Sequence, residues 1–164
     1  AMRSRSTLLL ALAGLLTLAA CAKPTPYQPA GDRYGYAERQ IETNRYRVSF
    51  EGNSATPRET VERYLLYRAA ELTLDGGDDY FRIADKDTET KTTYYSSGFG
   101  FGNFAYTRRV FASTAVGDAY PVSRYEAYAD IQTFKGEKPA DDPQAYDAHD
   151  VVDRLKGTIR RTAE

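Results

Sequence analysis

The sequence predicts an α+β domain in which an antiparallel sheet carries two helices packed on one face, a two-layer sandwich. Three observations lead there. Short stretches rich in Tyr, Phe, Val and Ile alternate with polar residues, the period of half-buried strands. A strong helix-start signal stands at residues 56–59 and a second at 142–143. With 41% apolar and 13% aromatic residues in 164, the chain has the composition of one globular domain and not of a disordered one.

In chain order, residues 34–41 (Tyr-Gly-Tyr-Ala-Glu-Arg-Gln-Ile) read as a strand and Thr43-Asn44 as a turn. Tyr46, Val48 and Phe50 then alternate with polar neighbours, giving a hairpin with one buried face. Thr56 is the expected N-cap, Pro57 the first helical residue, and Glu59 the partner that completes a capping box. Val61, Tyr64, Leu65, Ala69 and Leu72 recur at helical spacing before Gly76-Gly77, so the helix should cover 57–75. Residues 79–84 read as a strand with Phe81 and Ile83 on one face, followed by a polar stretch over 85–91. Residues 108–113 and 122–134 look extended, the latter with Tyr125, Ala127, Ala129 and Ile131 on one face. Asp142-Pro143 is the expected start of a second helix carrying Ala145, Ala148, Val152 and Leu155 and ended by Gly157.

The amino terminus is of a different kind. Arg3 and Arg5 precede an apolar run over residues 8–20, interrupted by Gly14 and Thr17. This run is shorter than the roughly 20 residues a membrane span needs, and it matches the apolar centre of a secretion signal. Leu18-Ala19-Ala20-Cys21 resembles the bacterial lipoprotein processing box, and the chain's single Cys occupies the required position. The resemblance implies that residues 1–20 are a signal peptide removed before Cys21, and that Cys21 is acylated on sulfur and on its new amino group. Several acyl chains anchor stably where one, at about 0.8 kcal/mol per buried CH₂, binds reversibly. Inner-membrane lipoproteins commonly carry Asp after the Cys; Ala22 stands here, which implies the outer membrane.

Removing the first 20 of 164 residues leaves 144, with 20 basic and 23 acidic side chains and a formal charge of −3. Lipid, not a polybasic patch, must then hold the protein to a bilayer. Residues 21–32 comprise the lipidated Cys and a segment with Pro24, Pro26 and Pro29, which reads as an extended tether. At about 3 Å per residue it would let a globular domain over 33–164 stand about 30 Å from the membrane. Tyr34-Gly35-Tyr36, residues 46–53, 58–62 and 64–73, and Asp79-Tyr80-Phe81 together resemble a group of short proteobacterial lipoproteins of unassigned function. That likeness implies a shared fold and an envelope location, and it carries over no catalytic or ligand residue.

Balanced charge, 22 basic against 23 acidic side chains, argues against a nucleic-acid partner. One Cys and one His allow neither an intramolecular disulfide nor a multi-His metal site. His149 lies in Asp147-Ala148-His149-Asp150, where adjacent helical positions diverge by about 100°, so a solvated helix face is expected. Asp78-Asp79 and Asp141-Asp142 read as turn and cap residues. Ser96, Ser97 and Ser113 lack a nucleophile elbow. Arg58, Arg63 and Arg68 are expected to pair with Glu59, Glu62 and Glu71.

Gly98-Phe99-Gly100-Phe101-Gly102 lacks the Gly-Lys-Ser/Thr signature and following helix of a phosphate loop. Extended, it places Phe99 and Phe101 on one side and bare glycine on the other, which suits either a loop folded back on the core or a binding surface. Phe99, Phe101 and the nearby Tyr94 and Tyr95 are therefore the candidate interaction residues. No catalytic residue, metal or cofactor is expected. The function expected is that of a non-enzymatic envelope lipoprotein that engages another envelope protein in assembly, maintenance or sensing. The alternative is a lipid- or glycan-binding lipoprotein, which an apolar groove would favour; an enzyme would need carboxylates converging with raised pKa values.

Overall fold

The computed structural model describes residues 22–96 and 119–162. Five strands form one antiparallel sheet with two helices: β1 (Gly35–Glu42), β2 (Arg45–Glu51), α1 (Arg58–Asp75), β3 (Tyr80–Ser96), β4 (Ala119–Phe134), β5 (Ala145–Asp147) and α2 (Ala148–Leu155). The strand order is β1-β2-β4-β3-β5, so the last long strand is inserted between β2 and β3. β4 is therefore the spine of the sheet, paired over its far half with β2 and along its whole length with β3.

The alternation in β2 and β4 sorts residues as the sequence suggests. Val48, Phe50, Ala127, Ala129 and Ile131 are buried, and with Phe81 and Ile83 they form one core with Val61, Tyr64, Leu65 and Ala69 of α1. Tyr67, Ala70 and Thr73 are buried too, because the strap described below and α2 cover further sides of α1. A register shift at Ala84 puts an extra residue in β3, a bulge of the kind that coils a sheet.

Four expectations change. First, residues 85–91 are not a polar connection but the middle of one 17-residue strand, β3, whose polar side chains pair across to β4. Second, the capping box does not form. The Thr56 hydroxyl accepts from the Thr25 backbone N–H at 2.8 Å and donates to Asn53 Oδ1 at 2.7 Å, while the Thr56 N–H donates to the Asn53 carbonyl. Third, Asp142 does not start the second helix. Ala145 lies in β5, and the helix begins after Asp147, whose carboxylate accepts from the Asp150 N–H at 2.9 Å.

The fourth change concerns the proline-rich segment, which is docked on the domain and not a free spacer. Thr25 and Tyr27 are buried, at 4% and 2% exposure. The Asn53 N–H donates to the Thr25 hydroxyl at 2.9 Å, and the Asn53 side-chain amide donates to the Lys23 carbonyl at 2.7 Å. Pro29 then lies beside Tyr36 in a short parallel bridge. Gly35 allows this approach: its φ is +135°, and a Cβ there would stand 2.4 Å from the Gln28 carbonyl oxygen. The domain thus begins near Lys23, ten residues before the boundary expected at residue 33. Prolines suit this strap because the N–H groups it uses, those of Thr25, Tyr27 and Ala30, each follow a proline, and Pro24, Pro26 and Pro29 add no donor that needs a partner.

Candidate functional site

Among the described residues, the outer end of the β3–β4 ribbon and a cleft beside α1 stand open to a partner. Both are framed by ion pairs. On the sheet face away from α1, Arg47 grips Asp130 through two hydrogen bonds of 2.6 and 2.7 Å and lies over the Tyr128 ring. The Arg47 hydrogen bond, more than its charge at large, holds the Asp130 carboxyl below the ordinary range, while desolvation opposes it. Glu126 faces Glu51 on one side and Glu89 on the other, a register that would repel. Arg124 relieves it by binding Glu51 at 2.9 Å, and Lys91 by binding Glu126.

Past Glu126 the ribbon leaves the sheet. The pairs from Thr90–Tyr125 to Ser96–Ala119 have no third strand among the described residues. Tyr94, Tyr95 and Tyr120 are exposed there, at 70%, 46% and 55%, with the Tyr95 and Tyr120 rings stacked 6.3 Å apart. Of the candidate interaction residues, the structure thus places Tyr94 and Tyr95 on this ribbon. Phe99 and Phe101 lie outside the described residues, as do Cys21, Ser97, Ser113 and the stretch 108–113.

The cleft, about 490 Å³, lies between the first half of α1, the bulged part of β3, and the end of α2. Leu65, Leu66, Ala69, Ile83, Ala129, Tyr146 and Leu155 make its apolar floor, and Arg58, Glu62, Arg63, Lys86 and Asp87 its rim. Ala69 and Ala129 leave room where larger residues would close it. Arg58 donates to Glu62 at 2.8 Å and is the main cause of a Glu62 pKa below the carboxylate norm, with Thr88 across the cleft adding to it. The sequence signals this site only through the alanines at strand and helix positions, which carry no ligand chemistry of their own.

Arg68, Asp142 and Asp79 have structural partners. Arg68 is nearly enclosed and binds Glu38 at 3.0 Å and Glu71 at 3.2 Å while lying over the Tyr36 ring. Burial is the largest single influence and would lower its pKa, but the contacts with Glu38, Tyr27 and Glu71 together raise it. Asp142 binds Arg82, and Asp79 accepts from the Gly136 N–H at 2.6 Å. His149 is exposed on α2. Among the described residues no three His, Cys, Asp or Glu are grouped to hold a metal, and no helix is long and apolar enough to cross a membrane.

No family model matches the chain, and neither a curated protein nor a solved structure matches it.

Proposed function

We propose that the protein is an envelope lipoprotein, related to the short proteobacterial lipoproteins its segments resemble and held at the outer membrane by acyl chains on Cys21. Its domain works by contact and not by bond-making, and its partner is another envelope protein. The observation that carries this reading is the cleft: an apolar floor beside a rim bearing both signs of charge suits an amphipathic protein segment better than an anionic polymer. Glu62, held ionised by Arg58, is also poorly suited to act as a general acid at neutral pH. The two-layer sandwich belongs to the same reading, since α1 shares its core with the inward residues of β2, β3 and β4, and α2 lies against α1.

The lipid- or glycan-binding alternative also has the cleft in its favour: its floor is apolar, as that reading requires, and its volume is within the range of about 300–1,000 Å³ that small-molecule sites occupy. A photo-crosslinker replacing Lys86 in the full chain, activated in intact cells, separates the two. A discrete protein adduct is expected. It should fall when Arg63→Glu and Leu66→Ser alter rim and floor, and again when Cys21→Ser removes the anchor. An adduct to lipid alone would favour the alternative, and an adduct indifferent to all three substitutions would overturn the proposal.

A further inference from the structure

The strap and the ribbon leave the same end of the domain. Lys23 and Thr25 are tied to Asn53 and Thr56 in the connection between β2 and α1, just beyond Glu51. β4 runs antiparallel to β2, so its residues before Glu126 continue past that same end, and the Gly52 N–H still donates to the Tyr125 carbonyl at 3.0 Å. From Tyr125 out to Tyr120 the ribbon extends five residues, about 17 Å at 3.3 Å each.

Cys21 lies two residues from Lys23, a reach of at most about 7 Å even when fully extended. An acylated Cys21 therefore leaves the docked strap almost no slack. A bilayer holding those acyl chains passes close to the β2–α1 connection, and the ribbon runs about 17 Å past that connection, further than the leash of about 7 Å can reach.

The chemistry of the ribbon end suits such a place. Residues 92–96 and 119–123 contain no Asp, Glu, Lys or Arg, although 27% of the chain is charged. Tyr94, Tyr95 and Tyr120 are exposed there, and the other large apolar side chain as open among the described residues, Ile41, sits at the opposite end of the sheet in the β1–β2 hairpin. Tyrosine, with an apolar ring and a polar tip, is a residue favoured at the headgroup level of a membrane. Around the strap, Lys23, Arg63 and Arg160 line a shallow hollow and present cations where anionic headgroups would lie.

We propose that the outer end of the β3–β4 ribbon is a membrane-docking surface, with Tyr94, Tyr95 and Tyr120 seated in the headgroup region of the bilayer that carries the protein's own anchor. The inference rests on acylation of Cys21. It gives the domain two points of attachment, and so one orientation, instead of free rotation about a tether.

The test uses the full-length acylated protein in vesicles of phosphatidylethanolamine and phosphatidylglycerol, labelled with an environment-sensitive fluorophore through Ser123→Cys on the ribbon or Thr43→Cys in the distal hairpin. The Ser123 probe should emit to the blue of the Thr43 probe and show a several-fold weaker quenching by aqueous iodide. Replacing Tyr94, Tyr95 and Tyr120 together by Ser should return it to water while the thermal midpoint stays unchanged. Acylated, vesicle-bound protein with both probes equally open to iodide would overturn the ribbon contact alone, as would a protected probe in the triple variant. An unmodified Cys21 in the mass spectrum of the same sample would overturn the anchor and the proposal with it.

Discussion

The strap and the ribbon invert what their backbones suggest. Residues 23–30 are irregular and proline-rich, yet Tyr27 within them is buried and touches the rings of Tyr36, Tyr64 and Tyr67 at 4.9, 5.6 and 5.3 Å. The ribbon is regular strand, yet its tyrosines stand in solvent. What separates the two is the supply of partners. Tyr27 donates its hydroxyl to Glu71, which also receives Arg68 and Arg161, so the polar tip is satisfied as the ring is covered. Past Tyr125 the ribbon has no third strand among the described residues, and two strands cannot bury both their faces.

The strongest test of this contrast is Tyr27→Ala, which removes the ring from a closed aromatic cluster. It should cost about 3–5 kcal/mol in urea unfolding, the range for large aromatic truncations, and should open residues 23–30 to protease before the rest of the domain. If the cost were below about 1 kcal/mol, the strap would be a spacer after all.

A smaller effect is expected at the sheet face where the ribbon takes root. Asp130 is held ionised by Arg47, so its folded pKa lies below its unfolded one. Its contribution is complete above the unfolded value of about 4 and is lost as pH falls through the folded value. Asp130→Asn should therefore lower the thermal midpoint at neutral pH, and the gap from the parent should close in acid. A gap that persisted unchanged in acid would mean that the pair does not set the pH dependence.

The least effect belongs to the ribbon end. Tyr95→Ser with Tyr120→Ser should change stability in water by no more than about 0.5 kcal/mol by denaturant titration, as for surface positions without structural partners. A larger loss would show that the stacked pair supports the fold.

Much of the architecture was legible from local pattern. The β1–β2 hairpin, the span of α1 and the buried face of β4 follow from periods of two and 3.6 that the chain carries openly. What periodicity does not carry is partnership at long range. Thr56 looks like a helix cap because its own neighbourhood says so, but Thr25, 31 residues earlier, takes its hydroxyl. The polar residues 85–91 read as a connection because their pairing partners stand about 40 residues away in β4. Tyr94 and Tyr95 were legible as candidates because two aromatics beside a glycine-rich run are unusual. The cleft was not, since it is lined by residues as far apart in sequence as Ala69 of α1 and Ala129 of β4.

The Arg160 peptide group joins the two ends of the domain: its carbonyl accepts from the Tyr27 N–H at 2.6 Å and its N–H donates to the Tyr64 hydroxyl at 3.1 Å. Arg161 lies over the Tyr27 ring from the same side. The strap thus meets partners that stand more than 130 residues further along the chain. Until Arg160 and Arg161 are in place, the Tyr27 N–H lacks its acceptor and the Tyr27 ring the guanidinium that covers it. Docking of the strap is therefore coupled to the packing of residues 160–161, and loosening either should loosen the other.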